Sequence, residues 1–456
     1  MRSGAQARLI ARGGALLRHA DPELLGLLDA DVVAQNSTLA MVASASVADP
    51  SVLAAGAAAL SNVTAEGYPG NRYHPGASWF DRVERLAVER ATALFHARYA
   101  NVQPHSCSSA NLAVLGALLP PGGTLLALEL DAGGHLTHGS SASITGRHYR
   151  AVHYGLTSQG RIDHDQVAEL ALRHRPGVII VGASAHPRTL DFVRFREIAD
   201  TVGAYLVADI SHIAGLVATG EHPSPIDVAH VTTTSTYKQL GGPRGGLILI
   251  GQEHDTPGPD GRTPLSRLMQ RAVFPLSQGT PNPAAIAAKA RAFELASAPS
   301  FKETARLIVG NALELAAELA RLGYDILTGG TDNHMVVMDL REQGLSGVIA
   351  ERALEECGIL ANRNRIDGDL RPPLVASGLR LGTNILAQRG LGAAEMRECA
   401  RLLHTVLAAT TAVDDTTYLL APDLRARVRT EVELLCARFP LPHYLGDDTT
   451  EGGERP

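Results

Sequence analysis

The chain has 456 residues, of which 45% are hydrophobic and 19% are charged. This composition is typical of a globular protein and excludes a disordered chain or a coiled coil. Its 41 lysines and arginines against 47 aspartates and glutamates give a net charge of -6, which offers no basic surface for nucleic acid. The length predicts one large domain with a smaller one, or two comparable domains.

The first twenty residues contain four arginines and no acidic residue. A transit peptide can share this pattern, but the Ala/Leu spacing of residues 9–20 favours an amphipathic helix that packs on a partner. No stretch approaches the ~18 apolar residues of a membrane span. The four cysteines are far apart and form no CxxC pair, which argues against a disulfide framework or a zinc site. We therefore predict a cytoplasmic protein that binds neither membrane nor nucleic acid.

From about residue 90 to residue 250, apolar runs of strand length alternate with helical patterns such as residues 191–203. Because these runs lack polar alternation, they predict strands buried on both faces of a mostly parallel sheet covered by helices. Ligands of such an α/β sheet bind beyond the carboxyl ends of its strands. The predicted strands are residues 124–130, 177–185, 204–210 and 245–251.

After residue 296 the pattern changes to long helices around shorter strands, which is typical of a second, smaller α+β domain. The predicted helices are residues 302–323, 391–409 and 422–438, and residues 334–340 form a predicted strand. We divide the chain into an N-terminal arm (1–50), a large domain (51–296), a small domain (297–445) and a disordered tail (446–456).

Polar side chains stand where these elements are predicted to begin or end. Ser106, Cys107 and Ser108 open a helix, whose free N–H groups form a ready anion site, although helix capping alone also explains the serines. Asp209 closes a buried strand, with His212 one turn further on. A buried carboxylate needs a cation or a hydrogen-bond donor, and a helix N-cap is the ordinary alternative.

His135 and His138 lie in the glycine-rich stretch 130–140, which we interpret as a loop rather than a helical metal site, since no third ligand stands nearby. Lys238 follows a run of small hydroxyl residues and precedes a loop rich in glycine. A solvated lysine is the ordinary interpretation. However, a phosphate site at a helix start, an aspartate for a ring nitrogen and a lysine together meet the requirements of pyridoxal phosphate.

Several segments, in order, resemble the serine hydroxymethyltransferase family, which are pyridoxal-phosphate enzymes of fold type I. The resemblance extends from about residue 40 to about residue 440. It implies an aspartate-aminotransferase-like large domain that binds the cofactor, a smaller α+β C-terminal domain, and a homodimer with shared active sites or a dimer of dimers. The segments are AEGYPGNRYHPG (65–76), NVQPHSCSSAN (101–111), GGHLTHGS (133–140), VADISHIAGLVATG (207–220), TTTSTYKQLGGPRGG (232–246) and SGLRLGT (377–383).

The resemblance implies roles for individual residues. Lys238 matches the lysine that forms the Schiff base with pyridoxal 5'-phosphate, Asp209 the partner of the pyridine nitrogen, and His135 the imidazole stacked on the ring. His212 matches a neighbour of the ring hydroxyl. Ser184 falls near the ring. The other cofactor-binding positions are Ser106, Cys107, Ser108 and Ser235, with Gly279 and Thr280 in the loop that a second subunit contributes.

Substrate-binding residues follow from the same resemblance. Arg380 matches the arginine that binds the substrate α-carboxylate, for which a guanidinium is well suited. Glu66 matches the acid/base glutamate, which needs a pKa raised by an enclosed site. Ser44 occupies a family serine position. Tyr73 and His74 complete the substrate-binding set.

The active-site segments also depart from the family pattern. Thr64 and His74 stand where the family has tyrosines, and Tyr237 replaces the histidine before the lysine; we include all three among the candidate catalytic residues. Two phenols that position the substrate and handle protons at Cβ are therefore absent. The other replacements are Cys107 and Thr280 for glycines, Asn384 for a proline, and Ala45 and Ser46 for a glutamate and an asparagine.

These departures lead us to expect a diverged paralogue in antibiotic biosynthesis, a lyase or transferase acting on an amino acid or amino-acid conjugate. It would break a bond at Cα or Cβ through an external aldimine and a stabilised carbanion, by C–S or C–C cleavage or decarboxylation of a cysteine-derived conjugate, or as a transaldolase. The alternative is a folate-dependent serine/glycine hydroxymethyltransferase. A non-catalytic scaffold is disfavoured because the catalytic groups are intact.

Tetrahydrofolate is the open question about cofactors. The positions that the family uses for folate are largely present, and they either hold folate or are retained packing around a deep pocket. These positions are Glu66, Tyr73, Leu130, Leu136, Phe274 and Asn364.

Overall fold

The structure, a computed structural model, describes residues 4–444, and the tail predicted at 446–456 lies outside these residues. The described chain opens with helices α1 (Ala5–Ala20) and α2 (Pro22–Ser37). The side chain of Asp21 caps α2 by accepting a hydrogen bond from Leu24 N. The predicted N-terminal helix is thus confirmed, and neither α1 nor α2 has a buried side chain in the single chain.

The remaining elements alternate along the chain. The helices are α3 (Pro50–Gly56), α4 (Ser78–Phe95), α5 (Cys107–Leu118), α6 (Ile144–His148), α7 (His164–His174), α8 (Phe192–Val202), α9 (Ala214–Thr219), α10 (Leu265–Arg271), α11 (Pro283–Ala296), α12 (Pro299–Arg321), α13 (Gly347–Glu356), α14 (Asn384–Gln388), α15 (Ala393–Ala409) and α16 (Pro422–Arg438). The strands are β1 (Leu39–Ala40), β2 (Gly67–Tyr68), β3 (Asn71–Arg72), β4 (Tyr99–Asn101), β5 (Thr124–Leu128), β6 (Arg150–Tyr154), β7 (Val178–Val181), β8 (Tyr205–Asp209), β9 (Val231–Ser235), β10 (Gly246–Ile250), β11 (Asp325–Ile326), β12 (Met335–Asp339), β13 (Ile359–Leu360), β14 (Asn362–Asn364), β15 (Gly378–Gly382), β16 (Thr411–Ala412) and β17 (Tyr418–Leu419).

A seven-stranded sheet with the order β4-β10-β9-β8-β7-β5-β6 carries the candidate site. The pairings from β9 through β6 are parallel, whereas β10 is antiparallel to both β9 and β4. The predicted mostly parallel α/β sheet is confirmed. The strand predicted at 245–251 is present but runs against the others, because burial on both faces does not depend on strand direction.

The strand predicted at 177–185 is shorter in the structure, where β7 ends at Val181. The next residue, Gly182, lies so close to β8 that a Cβ atom there would stand 2.4 Å from the backbone oxygen of Asp209. This close approach turns the chain away from the sheet. As a result, Ala183 and Ser184 line a cavity instead of continuing the strand.

Both faces of the sheet are buried, and successive residues of one strand enter different cores. Leu206 packs in the core under α4, α7 and α8, while its neighbour Val207 packs in the core under α5. This alternation of apolar side chains on both faces is why the strands read as continuous apolar runs in the sequence.

A second sheet, β11-β12-β15-β14, is entirely antiparallel and packs with α12, α13, α15 and α16 around a separate hydrophobic core. The predicted helices and the strand at 334–340 are confirmed to within three residues at each end. Leu39 and Met41 belong to this core, because β1 pairs with β13. Since the two cores are separate, we propose the domain boundary between α11 and α12, near residue 296.

Lys289 is a buried cation inside the large domain, with 1% of its surface exposed. Its Nζ donates hydrogen bonds to the backbone oxygens of Val102 (2.6 Å), Pro104 (3.1 Å) and Gly246 (2.8 Å). Three acceptors match the three N–H bonds of an ammonium group. Lys289 therefore ties the segment that leads into α5 to strand β10.

We expect Lys289→Met to lower the free energy of unfolding by roughly 2–4 kcal/mol, because three buried carbonyl groups lose their donor. The urea midpoint of the purified protein measures this loss. Lys302→Met is the matched control, because Lys302 is exposed on α12 and its loss should change the midpoint little. Equal midpoints for the two variants would contradict the structural role of Lys289.

Candidate active site

A cavity of about 240 Å³ opens at the carboxyl ends of β7, β8 and β9. An outer cavity of about 420 Å³ shares part of its wall. The inner cavity is lined by Ser106, Cys107, Ser108, His135, His138, Ala183, Ser184, Asp209, Ser211, His212, Ser235, Tyr237, Lys238, Arg244 and Gly245. The predicted location of the ligand site beyond the carboxyl ends of parallel strands is confirmed as a cavity.

Asp209 is the last residue of β8 and is 7% exposed. Its Oδ2 accepts a hydrogen bond from Asn111 Nδ2 (2.8 Å) and lies 3.1 Å from His138 Nε2. Its Oδ1 accepts from the backbone N (3.0 Å) and from Oγ (2.6 Å) of Ser211. Burial alone would raise the pKa of Asp209, but these hydrogen bonds and the charges of His138 and His135 hold it well below its ordinary value. The carboxylate is therefore ionised at the base of the cavity.

Lys238 follows β9 and is 7% exposed, so the sequence-based prediction of a buried lysine is confirmed. It borders both cavities. Burial lowers the pKa of Lys238 to about 8, and the nearby charge of Asp209 limits this shift. An amine with a lowered pKa is neutral more often near neutral pH, which makes it a better nucleophile.

The start of α5 forms another wall of the inner cavity. Ser106 Oγ accepts from Ser109 N (3.0 Å), and Ser109 Oγ accepts from Ser106 N (2.9 Å), which is a capping box. The cap and the anion site coexist, because the first N–H groups of a helix have no partner within it. Arg244 adds a cation beside this helix end, and its guanidinium stacks 4.2 Å above the ring of Tyr237.

His135 and His138 lie in a loop, as predicted, apart from the short turn Leu136–His138. The expectation that no third metal ligand is near is wrong, because His135, His138 and Asp209 offer ligand atoms within 4.8 Å of one another. The 71 residues between His138 and Asp209 hid this proximity. These atoms already have partners, since His135 Nδ1 lies 2.8 Å from Thr137 Oγ1 and His138 Nε2 contacts Asp209.

Arg380 reaches the outer cavity from β15 of the small domain. One of its Nη atoms donates to the backbone oxygen of Ser184, and Nε donates to Asn362 Oδ1 (3.2 Å). Burial lowers the pKa of Arg380 to about 10, so the guanidinium keeps its charge at neutral pH. Ser44 borders the same cavity. The structure therefore places a cation opposite Lys238, where a substrate carboxylate can be bound.

Other predicted site residues border neither cavity of the described chain: Thr64, Glu66, Tyr73, His74, Gly279 and Thr280. We call the group formed by Glu66, His74 and Gly279 the Glu66 cluster. Glu66 Oε2 lies 3.4 Å from His74 Nε2, and a Cβ atom on Gly279 would stand 3.1 Å from Glu66 Oε1. The expected enclosure of Glu66 is wrong for the single chain, because its side chain is 37% exposed and nothing in the described chain covers it.

Tyr73 lies outside the inner and outer cavities with its ring centre 5.6 Å from that of Phe274. The residues at the family's folate positions thus divide into two groups. Leu130, Leu136 and Asn364 line the outer cavity, whereas Glu66, Tyr73 and Phe274 are apart from it.

Sequence analysis missed three contacting residues, namely Asn111, Ser211 and Arg244. The signal for Asn111 was its position one turn after Cys107 on the same helix, and Ser211 is two residues from Asp209. Asn384, which replaces a proline of the family, donates to the backbone oxygens of Ala43 (3.0 Å) and Ala45 (3.3 Å). It therefore holds the segment that carries Ser44.

The lining of the inner cavity fits pyridoxal 5'-phosphate. The start of α5 and Arg244 suit its phosphate, Asp209 suits a protonated ring nitrogen, and Lys238 suits its aldehyde. His212 gives an independent indication, because its Nδ1 is buried without a hydrogen-bond partner among the described residues. Burial lowers the pKa of His212 well below its ordinary value, so the ring is neutral and can accept or donate one hydrogen bond.

Comparison with known proteins agrees with this geometry. The family model described as serine hydroxymethyltransferase matches residues 17–403. Three relatives carry the same name: those of Synechococcus sp. (strain JA-3-3Ab), 46% identical over 95% of this chain and 98% of the relative; Wolbachia sp. subsp. Drosophila simulans (strain wRi), 44% identical over 93% and 96%; and Cyanothece sp. (strain PCC 7425 / ATCC 29141), 45% identical over 94% and 96%. The described residues contain no helix that is both long and apolar enough to cross a membrane.

The lowered pKa of Lys238 predicts how fast the apoprotein attaches pyridoxal 5'-phosphate. Because only the neutral amine attacks the aldehyde, we expect the rate constant to rise about tenfold per pH unit below a pKa of about 8 and to level off above it. Stopped-flow absorbance between pH 6 and pH 10, as roughly spanned by ordinary buffers, measures this profile. A rate that still rises at the ordinary lysine pKa would contradict the prediction.

Proposed function

The chain belongs to the serine hydroxymethyltransferase family, and we propose that it transfers a hydroxymethyl group between serine and glycine with tetrahydrofolate. Enzymes of this family use pyridoxal 5'-phosphate and tetrahydrofolate. The observation that carries the proposal is the convergence of Lys238, Asp209 and Arg380 on one pair of connected cavities. The names of the relatives favour this reaction over our first expectation, and they give no sign of antibiotic biosynthesis or of a lyase.

The chemistry of the bound coenzyme is to withdraw electrons from the Cα of an attached amino acid. Asp209 holds the proton of the ring nitrogen, because its ionised carboxylate is fixed by donors on both oxygens. Lys238 attaches the coenzyme. Arg380 binds the substrate α-carboxylate and thereby sets which bond at Cα faces the ring. His135 lies beside this site with its Nδ1 fixed by Thr137.

We place the folate against the outer cavity, where Leu130, Leu136 and Asn364 form part of the wall. Arg363 and Arg365 border the same opening, although both have carboxylate partners, Glu351 and Asp131 respectively. Apolar walls with a few placed polar groups are typical of sites for flat ring systems. The inner cavity is then left for the coenzyme and the amino acid.

A homodimer would complete the active site. The Glu66 cluster is partly exposed and apart from Lys238 in the single chain, and it includes Gly279 of the loop expected to serve a second subunit. The apolar side chains of α1 and α2 are also exposed, as at an interface: Leu9, Leu16, Leu24, Leu27 and Leu28. We propose that two chains place the Glu66 cluster of each at the cavity of the other, as a dimer or within a dimer of dimers.

A cytoplasmic location is part of this proposal. Its support is chemical, because all four cysteines have free thiols, as expected in a reducing compartment.

A second candidate function uses the same coenzyme on another β-substituted amino acid without folate, including the C–S cleavage, decarboxylation and transaldolase reactions expected above. The observation that favours it is the imidazole of His74 beside Glu66, at a position where the family has a phenol. An imidazole and a phenol differ in size and in proton affinity near neutral pH. The changed pair could therefore suit a different group on Cβ.

The two candidates differ in their need for folate. We expect the coenzyme-loaded protein to form glycine from serine when tetrahydrofolate is present, and at least about tenfold more slowly when it is absent, since the one-carbon acceptor is then missing. Glycine release measured by amino-acid analysis tests this. Equal rates without folate, or turnover of threonine or cysteine conjugates but not serine, would favour the second candidate.

Complementation tests the shared site. Lys238→Ala and Glu66→Ala are each expected to be inactive, but a heterodimer of the two variants regains one intact site and about half of the wild-type activity per dimer. The two chains are co-expressed with different affinity tags, and the heterodimer is isolated over both. An inactive heterodimer would show that Glu66 serves the cavity of its own chain.

A further inference from the structure

Cys107 makes contacts at the base of the inner cavity that a glycine, the residue of the family, cannot make. It is the first residue of α5, and its Sγ lies 3.0 Å from Ser211 Oγ. The distance from Sγ to Asp209 Oδ1 is 3.7 Å, and that to Asn111 Oδ1 is 3.9 Å. Ser211 Oγ is thus the nearest hydrogen-bonding partner of the thiol.

Counting hydrogens at Ser211 fixes the direction of these contacts. A hydroxyl has one hydrogen and two lone pairs. The hydrogen goes to Asp209 Oδ1, which is the shortest contact at 2.6 Å, and one lone pair accepts from Ser235 N at 3.0 Å. The second lone pair faces Cys107 Sγ, so the thiol is the donor in that contact.

The thiol keeps its hydrogen for this purpose. Burial raises the pKa of Cys107 above its ordinary value, and the nearby carboxylate of Asp209 raises it further. The side chain is therefore a neutral donor near neutral pH. A chain of donors of this kind strengthens each of its members, because each bond polarises the next.

We propose that Cys107 and Ser211 form a hydrogen-bond relay, S–H to Oγ and O–H to Asp209, that positions the Asp209 carboxylate against the coenzyme ring. Cys107 is a positioning residue, because it acts through Ser211. The relay also joins the three parts of the site: the start of α5 for the phosphate, the end of β8 for the ring nitrogen, and, through Ser235, the end of β9 that leads to Lys238.

A separate observation supports a ligand at this relay. His212 follows Ser211 directly and borders the same cavity, and it is 5% exposed with an unpartnered Nδ1 among the described residues. A buried polar atom without a partner indicates a missing hydrogen-bonding group. The inference rests on the proposed function only in that the missing group is pyridoxal 5'-phosphate.

Substitutions at position 107 separate the donor from the space it fills. Alanine occupies part of the space but cannot donate, and glycine restores the family residue and also cannot donate. Serine keeps a donor. Each of the first two leaves the second lone pair of Ser211 Oγ without its partner, so the hydroxyl and Asp209 become less firmly oriented.

The experiment titrates apoprotein with pyridoxal 5'-phosphate and follows the visible absorbance. We expect Cys107→Ala, Cys107→Gly and Ser211→Ala each to raise the dissociation constant about 3- to 10-fold, the range for losing one ordinary hydrogen bond. Cys107→Ser should stay within about twofold of the wild type. The double variant Cys107→Ala/Ser211→Ala should bind no more weakly than the weaker single variant, because both changes break one relay.

The matched control is Cys399→Ala, which removes a buried thiol from the core of the small domain and should leave the dissociation constant unchanged. Thermal unfolding of each apoprotein confirms that it is folded, and if Cys107→Ala is not folded, Cys107→Gly replaces it. Additive effects of the two single changes, or wild-type affinity in both Cys107→Ala and Cys107→Gly, would overturn the relay alone. A wild-type protein without affinity for pyridoxal 5'-phosphate would overturn the proposed function as well.

Discussion

The site depends on keeping one carboxylate ionised inside the large domain. Moving an unpaired carboxylate from water into a protein interior costs several kcal/mol by order of magnitude. Asp209 meets this cost with donors from three parts of the chain: Asn111 from α5, His138 from the loop after β5, and Ser211 from the turn after β8. These parts must lie where they do for the charge to be tolerated, so the same interaction that permits the carboxylate also arranges the cavity walls.

The cations of the site are kept apart by the two-domain construction. Lys238 comes from the large domain at the end of β9, while Arg380 comes from β15 of the small domain and contacts Ser184 across the division. Two cations on one rigid element would repel each other permanently. On separate domains they can share a cavity only when both domains are in place, and a dianionic coenzyme with an anionic substrate then balances them.

Much of the fold was predictable, because buried strands and amphipathic helices leave periodic patterns in the sequence. The strand that ends at Asp209 and the helix that begins at Cys107 were found in this way, and both placed polar residues at the cavity. The direction of β10 was not predictable, since strands buried on both faces look alike in either direction. Contacts between distant residues were also hidden: Cys107 and Ser211 are 104 residues apart, and no local pattern records that they meet. The position of Glu66 was wrong for the single chain because a motif specifies residues but not which subunit they serve.

The backbone approach at Gly182 bears on how the site would look in a saturation screen. No side chain can be accommodated there without moving the carbonyl of Asp209. Such a screen would rank Gly182 with the most intolerant positions of the protein, although it carries no reactive group. Intolerance near this cavity is therefore a poor guide to chemistry unless steric exclusion by the main chain is counted first.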